Sequence, residues 1–338
     1  MKNICTHCIL PDTFPKIVFN EKGICNFCQN NICASKKQNY EEKTKNYRNQ
    51  LDSLIESHKG KAPVYDLIMA YSGGKDSSFT LKLLRERYDL RIAALTFDNH
   101  FISSTAIKNI KIITDRLNID SLTFKPPWSI IKEMFLLTAK EDIFSKPTLM
   151  RASSICTACI GLVKSIVLKT ALEMSIPFVG FGWSPGQAPL QSAIMKTNPS
   201  FIRSSQTVYK NSFPYPLGNL LSPYLLPDTY FDSYINSFPH NIHPLAFFDY
   251  NEDDIKKELT DIGWQPPEVT DSNSSNCLIN AFANQCHINR NEFHPYVWEI
   301  ANMVRQGILT REQGIEKIYA PQNKKMIEYA EIKLFSNI

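Results

Sequence analysis

The sequence predicts an α/β protein: a parallel sheet with helices on both faces, an N-terminal metal ribbon and a C-terminal helical region. Three observations carry this. Apolar runs of strand length alternate with runs of helical period between residues 63 and 182, the pattern of a sheet with right-handed crossovers. A glycine turn, Ser72-Gly73-Gly74-Lys75-Asp76-Ser77, joins the first such strand to the first helix. Two Cys-x-x-Cys pairs, Cys5/Cys8 and Cys25/Cys28, stand sixteen residues apart near the N-terminus.

The ribbon comes first. Each Cys-x-x-Cys makes a knuckle that aims two thiolates at one point, and two knuckles complete a tetrahedron around Zn2+. Four thiolates close the shell, so this zinc is structural, and a segment of about 30 residues needs it to fold. Between the pairs, Ile17-Val18-Phe19 reads as a short strand and Asn20-Glu21-Lys22-Gly23 as a tight turn. Cys33 falls outside the spacing and reads as a spare thiol. Residues 34–62 read as a polar helix with Tyr47, Leu51, Leu54 and Ile55 on one face.

Leu67 to Tyr71 is the first buried strand, and Ser78 to Leu84 has helical spacing. Strand, glycine turn and helix together bind phosphate. Gly73 and Gly74 let backbone approach an anion, the helix start offers N–H groups, Lys75 adds charge, and Ser72 and Ser77 add hydroxyls. Arg91 to Asp98 is the second strand. Ligands of such sheets sit at the carboxyl ends of strands, which makes Asp98 a candidate contact, a plain strand-end turn being the alternative. A helix from Ser104 to Leu117, a strand from Ser121 to Phe124, and a helix over 130–137 follow. The fourth strand runs from Ile176 and ends in Gly180 and Gly182, which mark close backbone approach.

Cys156-Thr157-Ala158-Cys159-Ile160-Gly161 precedes the helical run Leu162 to Leu168. A helix N-terminus lowers thiol pKa and favours thiolate, with Arg151 and Lys164 adding positive charge. A second zinc site and a metal-free redox pair are both compatible with this pair. Gln187, after the fourth strand, orients a substrate or phosphate, or caps a turn. Residues 199–244 show little periodicity and many aromatics, and read as a lid or substrate wall that includes Arg203 and Lys210. His243 to Tyr250 reads as a short strand, Glu252 to Ile262 as a helix with Gly263 as its cap, and Trp298 to Arg305 as another. Thr310-x-x-Gln313 is a capping pattern. His287 and His294 read as polar structural residues.

Composition bounds the class. The chain has 338 residues, 43% of them hydrophobic, and a net charge of +4, too mild to demand a nucleic-acid partner. No apolar run of about 18 residues and no signal peptide are apparent, so no membrane is expected. Nine cysteines without a secretory signal point to a reducing, cytoplasmic setting.

Ser72 to Ser77 resembles the PP-loop of the ATP pyrophosphatases, the adenine nucleotide α-hydrolase-like superfamily. The resemblance implies ATP with Mg2+ held by Ser72, Gly73, Gly74, Lys75, Asp76 and Ser77, with adenosine near Asp98, Gly180 and Gly182, and Lys75 and Asp76 in catalysis. It implies AMP placed on a substrate oxygen and then displaced by nitrogen or sulfur. Cys156-x-x-Cys159-Ile-Gly resembles the motif of the tRNA-thiolating branch. That implies a 4Fe-4S cluster on Cys156, Cys159 and a distant third cysteine, Cys277, with Cys286 competing for the place. The acidic residues that branch carries after its fourth strand are missing from 183–191. The N-terminal ribbon and the C-terminal pattern also resemble the N-acetyl sugar amidotransferases, which form an amidine with ammonia from a glutaminase partner. The readings are therefore an adenylating sulfurtransferase acting on an amide or lactam with a sulfur donor, that amidotransferase, or a nonenzymatic nucleotide sensor. The acceptor is tRNA, a purine-like metabolite or a nucleotide sugar, and a homodimer is the assembly considered. The division expected is ribbon 1–33, linking helix 34–62, PP-loop ATP-binding domain 63–198, and lid with helical region 199–338.

Overall fold

The computed structural model describes residues 3–30, 36–187, 189–267, 274 and 276–336. Cys33 and most of the loop before Cys277 lie outside them. In chain order the elements are α1 (Asn26–Gln29), α2 (Lys36–His58), β1 (Leu67–Ala70), α3 (Lys75–Tyr88), β2 (Ile92–Phe97), α4 (Ser104–Leu117), β3 (Asp120–Phe124), α5 (Trp128–Lys140), α6 (Lys146–Leu149), α7 (Ser154–Glu173) and β4 (Phe178–Phe181). Then come β5 (Ile194–Lys196), α8 (Pro199–Asn211), α9 (Leu217–Leu221), α10 (Asp228–Ser233), β6 (His240–Ile242), α11 (Glu252–Asp261), α12 (Asn280–Asn291), α13 (Val297–Arg305), α14 (Arg311–Tyr319) and α15 (Lys324–Phe335).

The six strands form one sheet in the order β3-β2-β1-β4-β6-β5, parallel except for β5 against β6. Alternation along each central strand sends side chains to opposite faces. Ile68, Ala93, Leu95, Val179 and Phe181 join one core, with α5, α7, α9, α12 and α15 over it. Leu67, Met69, Ile92, Ala94 and Phe178 join the other, with α2, α3, α4 and α11 over it. Helices therefore cover both faces, as the alternation of strands and helices predicts. In the otherwise polar α2, Leu51 and Ile55 are buried in this second core, and Tyr47 and Leu54 pack against it, the face expected.

Three expectations need correction. The segment His243–Tyr250 is not a strand: Pro244 lacks the N–H a ladder needs, a 3₁₀ turn occupies Pro244–Ala246, and the strand lies just before it, at β6. Residues 199–244 are not aperiodic: Asn198 caps Phe201 N and Pro199 opens α8, a helix whose polar content conceals its apolar stripe. Ile17–Phe19 forms no strand, because the chain there is tied by isolated bridges, Ile4 to Pro11 and Phe19 to Cys25. One described helix, α7, is long and apolar enough to cross a membrane, by length and composition only. Its apolar side chains Ile155, Leu162, Ile166 and Val167 are buried in the core.

The N-terminal segment packs on the far end of the chain. Phe14 stacks on Trp298 at 5.5 Å and meets Phe293 edge-on. Arg311 donates to the carbonyls of Cys5 and Cys8, and Tyr319 to that of Ile9. Ile9, Leu10, Val297, Ile300 and Ile318 share one apolar cluster.

Candidate functional site

The phosphate-loop sequence sits at the carboxyl end of β1. Gly73 has φ +72°, and a Cβ there would lie 2.4 Å from the Ala106 carbonyl oxygen, so only glycine fits. Trp264 Nε1 and Asn109 Nδ2 donate to the Gly73 carbonyl and hold the loop from outside. Gly74 is the N-cap of α3 and provides no side-chain acceptor, whereas Ser103 and Ser153 cap α4 and α7. The N-cap position of α3 thus makes no side-chain hydrogen bond to the helix start, as a serine cap would. Ser72 and Ser77 hydroxyls lie 3.1 Å apart. Lys75 Nζ donates to Asp76 Oδ1 and to Tyr250 OH, both at 2.6 Å, and Tyr250 donates to the same carboxylate. Glu252, at the start of α11, lies 4.0 Å from Lys75 and is held below the usual carboxylate range by Lys75 and Lys317 against the opposing effect of burial.

Gly182 backs onto this loop: a Cβ there would fall 2.4 Å from Ser77 Cα. Gly180 meets a side chain instead, Met69 Sδ at 2.9 Å from its would-be Cβ. Asp98 ends β2, pairs with Lys125 at 2.8 Å and accepts from His100 N, which together keep its carboxyl ionised below the ordinary range although burial opposes this.

The second cysteine group converges next door. Cys156 and Cys159 lie within the first two turns of α7, not ahead of it, because Ser153 caps the helix through Cys156 N. Cys277 reaches them from the other end of the sequence. Its segment bridges to Ile102, with Ser103 N bonded to the Asn276 carbonyl and Leu278 N to that of Phe101. Asn99, two residues past β2, donates its amide to Cys159 Sγ at 3.5 Å and to Cys277 Sγ at 3.7 Å, and Asn280 lies 3.9 Å from Cys156 Sγ. Cys286 lies on α12 beside Arg290 and Asp142, and burial pushes its thiol to about 11. At the helix start, burial raises the Cys159 thiol, against the lowering expected there, and burial raises Cys277 as well.

The N-terminal four are tighter. Cys5, Cys8, Cys25 and Cys28 are buried, with all four sulfurs within 4.8 Å of one another. Backbone N–H groups of Cys8 and Cys25 donate to Cys5 Sγ, that of Leu10 donates to Cys8 Sγ, and Arg305 donates to Cys8 Sγ. This donor set fits a single tetrahedral ion. Among the described residues no other group of three His, Cys, Asp or Glu ligand atoms is drawn so close. Asn99 thus gathers the sulfurs of Cys159 and Cys277, with Asn280 beside that of Cys156, and this group is not drawn as close as the N-terminal four.

Two acidic groups were not legible. Glu299, on α13, is enclosed against the turn after β4: Ser184 Oγ donates to it, and Gln187 accepts from Ser184 N to close that turn. Burial raises its carboxyl to about 7, with Asp76 adding to the rise. Glu299 and Glu252 come from α13 and α11, far along the chain from the 183–191 turn where acidic residues were looked for. Gln187 closes a turn. Glu299 also lines a cavity of about 1000 Å³ that contains Cys156, Lys164, Trp183 and Arg151, and it stands between that cavity and Asp76.

No family model matches this chain. The protein MJ1599 of Methanocaldococcus jannaschii is 22% identical over 332 residues, covering 97% of each chain. A solved structure of the U34-tRNA thiolase NcsA from Methanococcus maripaludis, with its 4Fe-4S cluster, covers 97% of both chains at 15% identity with a TM-score of 0.35.

Proposed function

We propose that this chain is an ATP-dependent adenylating sulfurtransferase, which activates an amide or lactam oxygen as an AMP ester and replaces it with sulfur. One observation carries the reading: Cys277 meets Cys159 on Asn99, one strand away from a phosphate loop whose helix lacks a side-chain cap. ATP with Mg2+ binds at Ser72 to Ser77, with Asp98 and the Gly180–Gly182 segment flanking it. The acceptor oxygen attacks the α-phosphorus, a new O–P bond forms, and the bond to the β-phosphate bridge breaks. Pyrophosphate leaves with its charge met by Lys75 and the α3 amides. The acceptor nitrogen loses its proton as the C=N bond forms. Sulfur at the sulfide level then adds to that carbon, the C–O bond to AMP breaks, and a proton returns to nitrogen, which leaves a thiocarbonyl.

A 4Fe-4S cluster on Cys156, Cys159 and Cys277 supplies, when bound, an iron without a protein ligand that can hold sulfide. Asn99 orients two of those sulfurs. Zn2+ on Cys5, Cys8, Cys25 and Cys28 has a structural role. The setting is the reducing cytoplasm, with a sulfur donor as partner. Residues 1–33 are taken as the ribbon, 34–62 as the link, 63–198 as the nucleotide domain and 199–338 as the acceptor region.

The test follows pyrophosphate and sulfur separately in wild type and Cys277→Ala. The expected result is ATP-dependent pyrophosphate release in both and a thiocarbonyl product in wild type alone. Full thiocarbonyl formation by Cys277→Ala removes Cys277 from the sulfur path, and wild type that releases pyrophosphate but forms an amidine from ammonia with no thiocarbonyl overturns sulfur transfer.

A further inference from the structure

The cavity of about 1000 Å³ lies between α7, α8 and the start of α13. Its size is at the upper end of pockets for small organic ligands. Its wall is largely apolar, and its charged members are Arg151, Lys164 and Glu299. Cys156 stands in that wall, so the space adjoins the cysteine group directly. On the outer side, α8 buries none of its residues, yet it presents Phe201 and Val208, which are 65% and 67% exposed, at a seven-residue spacing along the cavity. That spacing puts both on one helical face. Apolar side chains left that open gain from being covered.

Lys164 is the unusual member. Its side chain is open to the cavity, while protein closes round it on the other sides and lowers its pKa. Among the described residues its amine forms no ion pair; it lies over the Trp183 ring, whose centroid is 4.7 Å away, with His243 near enough to feel its charge. His243 stacks on the same ring at 4.4 Å and fixes it. An ammonium exposed to a largely apolar cavity is a donor that an oxygen of a bound ligand can meet in place of water.

We propose that this cavity is the acceptor site, that it takes a small, largely apolar amide or lactam, and that Lys164 meets the amide group of that molecule. The proposal rests on the sulfur-transfer reading for the meaning of acceptor. A polynucleotide is met by arrays of cationic side chains and by stacking on open rings. The rim here carries Ile160, Phe201 and Val208.

Calorimetric titration of the full chain with two neutral bicyclic lactams, 2-quinolone and quinazolin-4-one, and with an unmodified tRNA transcript tests this. The expected result is saturable binding of at least one lactam, weakened at least tenfold in Lys164→Met and in Phe201→Asp, with binding of a fluorescent ATP analogue unchanged. Phe201 is exposed, so its replacement leaves the fold intact. The proposal is overturned when neither lactam saturates below about 1 mM, when both variants bind like wild type, or when tRNA binds and excludes the lactams. Binding is read without turnover, so the two readings fail separately. A lactam that binds in this way but never elicits pyrophosphate sinks the sulfur-transfer reading and sustains the cavity assignment. Pyrophosphate release driven by tRNA, with no lactam bound, sinks the assignment alone.

Discussion

Lys75 is held 2.6 Å from Asp76 and from Tyr250, with Glu252 at 4.0 Å, so its ammonium sits between two carboxylates and a phenol. Lys75→Ala removes the cation that Asp76 and Tyr250 share. The expected loss is about 3–4 kcal/mol of transition-state stabilisation, roughly 10²–10³-fold in rate. It is measured as ATP-dependent pyrophosphate release, with bound metal unchanged; wild-type turnover in the variant contradicts the placement. Glu299 has a pH signature. Its folded pKa is raised from 4.5 to about 7, so the folded state binds more protons between those values. The stability this contributes is present in full below pH 4.5 and is gone once the pH has risen through about 7. Wild-type melting temperature should therefore fall over that window more steeply than that of Glu299→Gln, and parallel profiles refute it. The sequence points to Lys75 because glycine, lysine and serine in a row carry their chemistry locally. Glu299 acquires its environment only when α13 packs against the 184–187 turn, and no local pattern marks that.

At the scale of elements, the exit of β4 and the start of α3 touch through backbone. Gly182→Ala places a methyl 2.4 Å from Ser77 Cα, where no flexible side chain can yield. The expected outcome is ATP affinity lowered by at least tenfold in an equilibrium titration, with helix content by circular dichroism unchanged. Unchanged affinity shows that the contact relaxes without moving the loop. The central strands and α2 to α5 were legible because short continuous apolar runs, buried on both faces, alternate with stretches of period 3.6. β5 and β6 were not, since strands of three residues leave no periodic trace. α8 was missed for a related reason: its apolar residues face an open cavity and are diluted by serines. The ends of α7 and Cys277 illustrate a third case. The cysteine spacing is visible, but only the Ile102–Cys277 bridge brings the third sulfur to Asn99.

At the scale of the whole molecule, two sulfur groups serve different ends of the chain, and they should fail independently. Replacing Cys25 with Ser is expected to lose one zinc and to lower the melting temperature, since a structural ion contributes folding free energy. Zinc stoichiometry beside a melt checks this, and a zinc-free protein with an unchanged melt contradicts it. Replacing Cys277 with Ala should leave both the zinc and the ATP affinity in place while removing the brown colour of anaerobically prepared protein. An absorption spectrum decides it, and a persistent iron–sulfur band in Cys277→Ala excludes that thiol as a ligand.

The clasp between Arg311, Tyr319 and the carbonyls of Cys5, Cys8 and Ile9 has a consequence for biogenesis. Residues 3–29 leave the ribosome long before their binding surface on α13 and α14 exists. At ordinary synthesis rates of about 5–20 residues per second, the wait is roughly 15–60 s. During that time Phe14 and Leu10 have no partner, and the four thiols are open to solvent and oxidant. A nascent segment that captures its ion early is folded around the metal and protected while it waits. One that does not is a disulfide hazard at the very end of the chain that is needed last to close the structure.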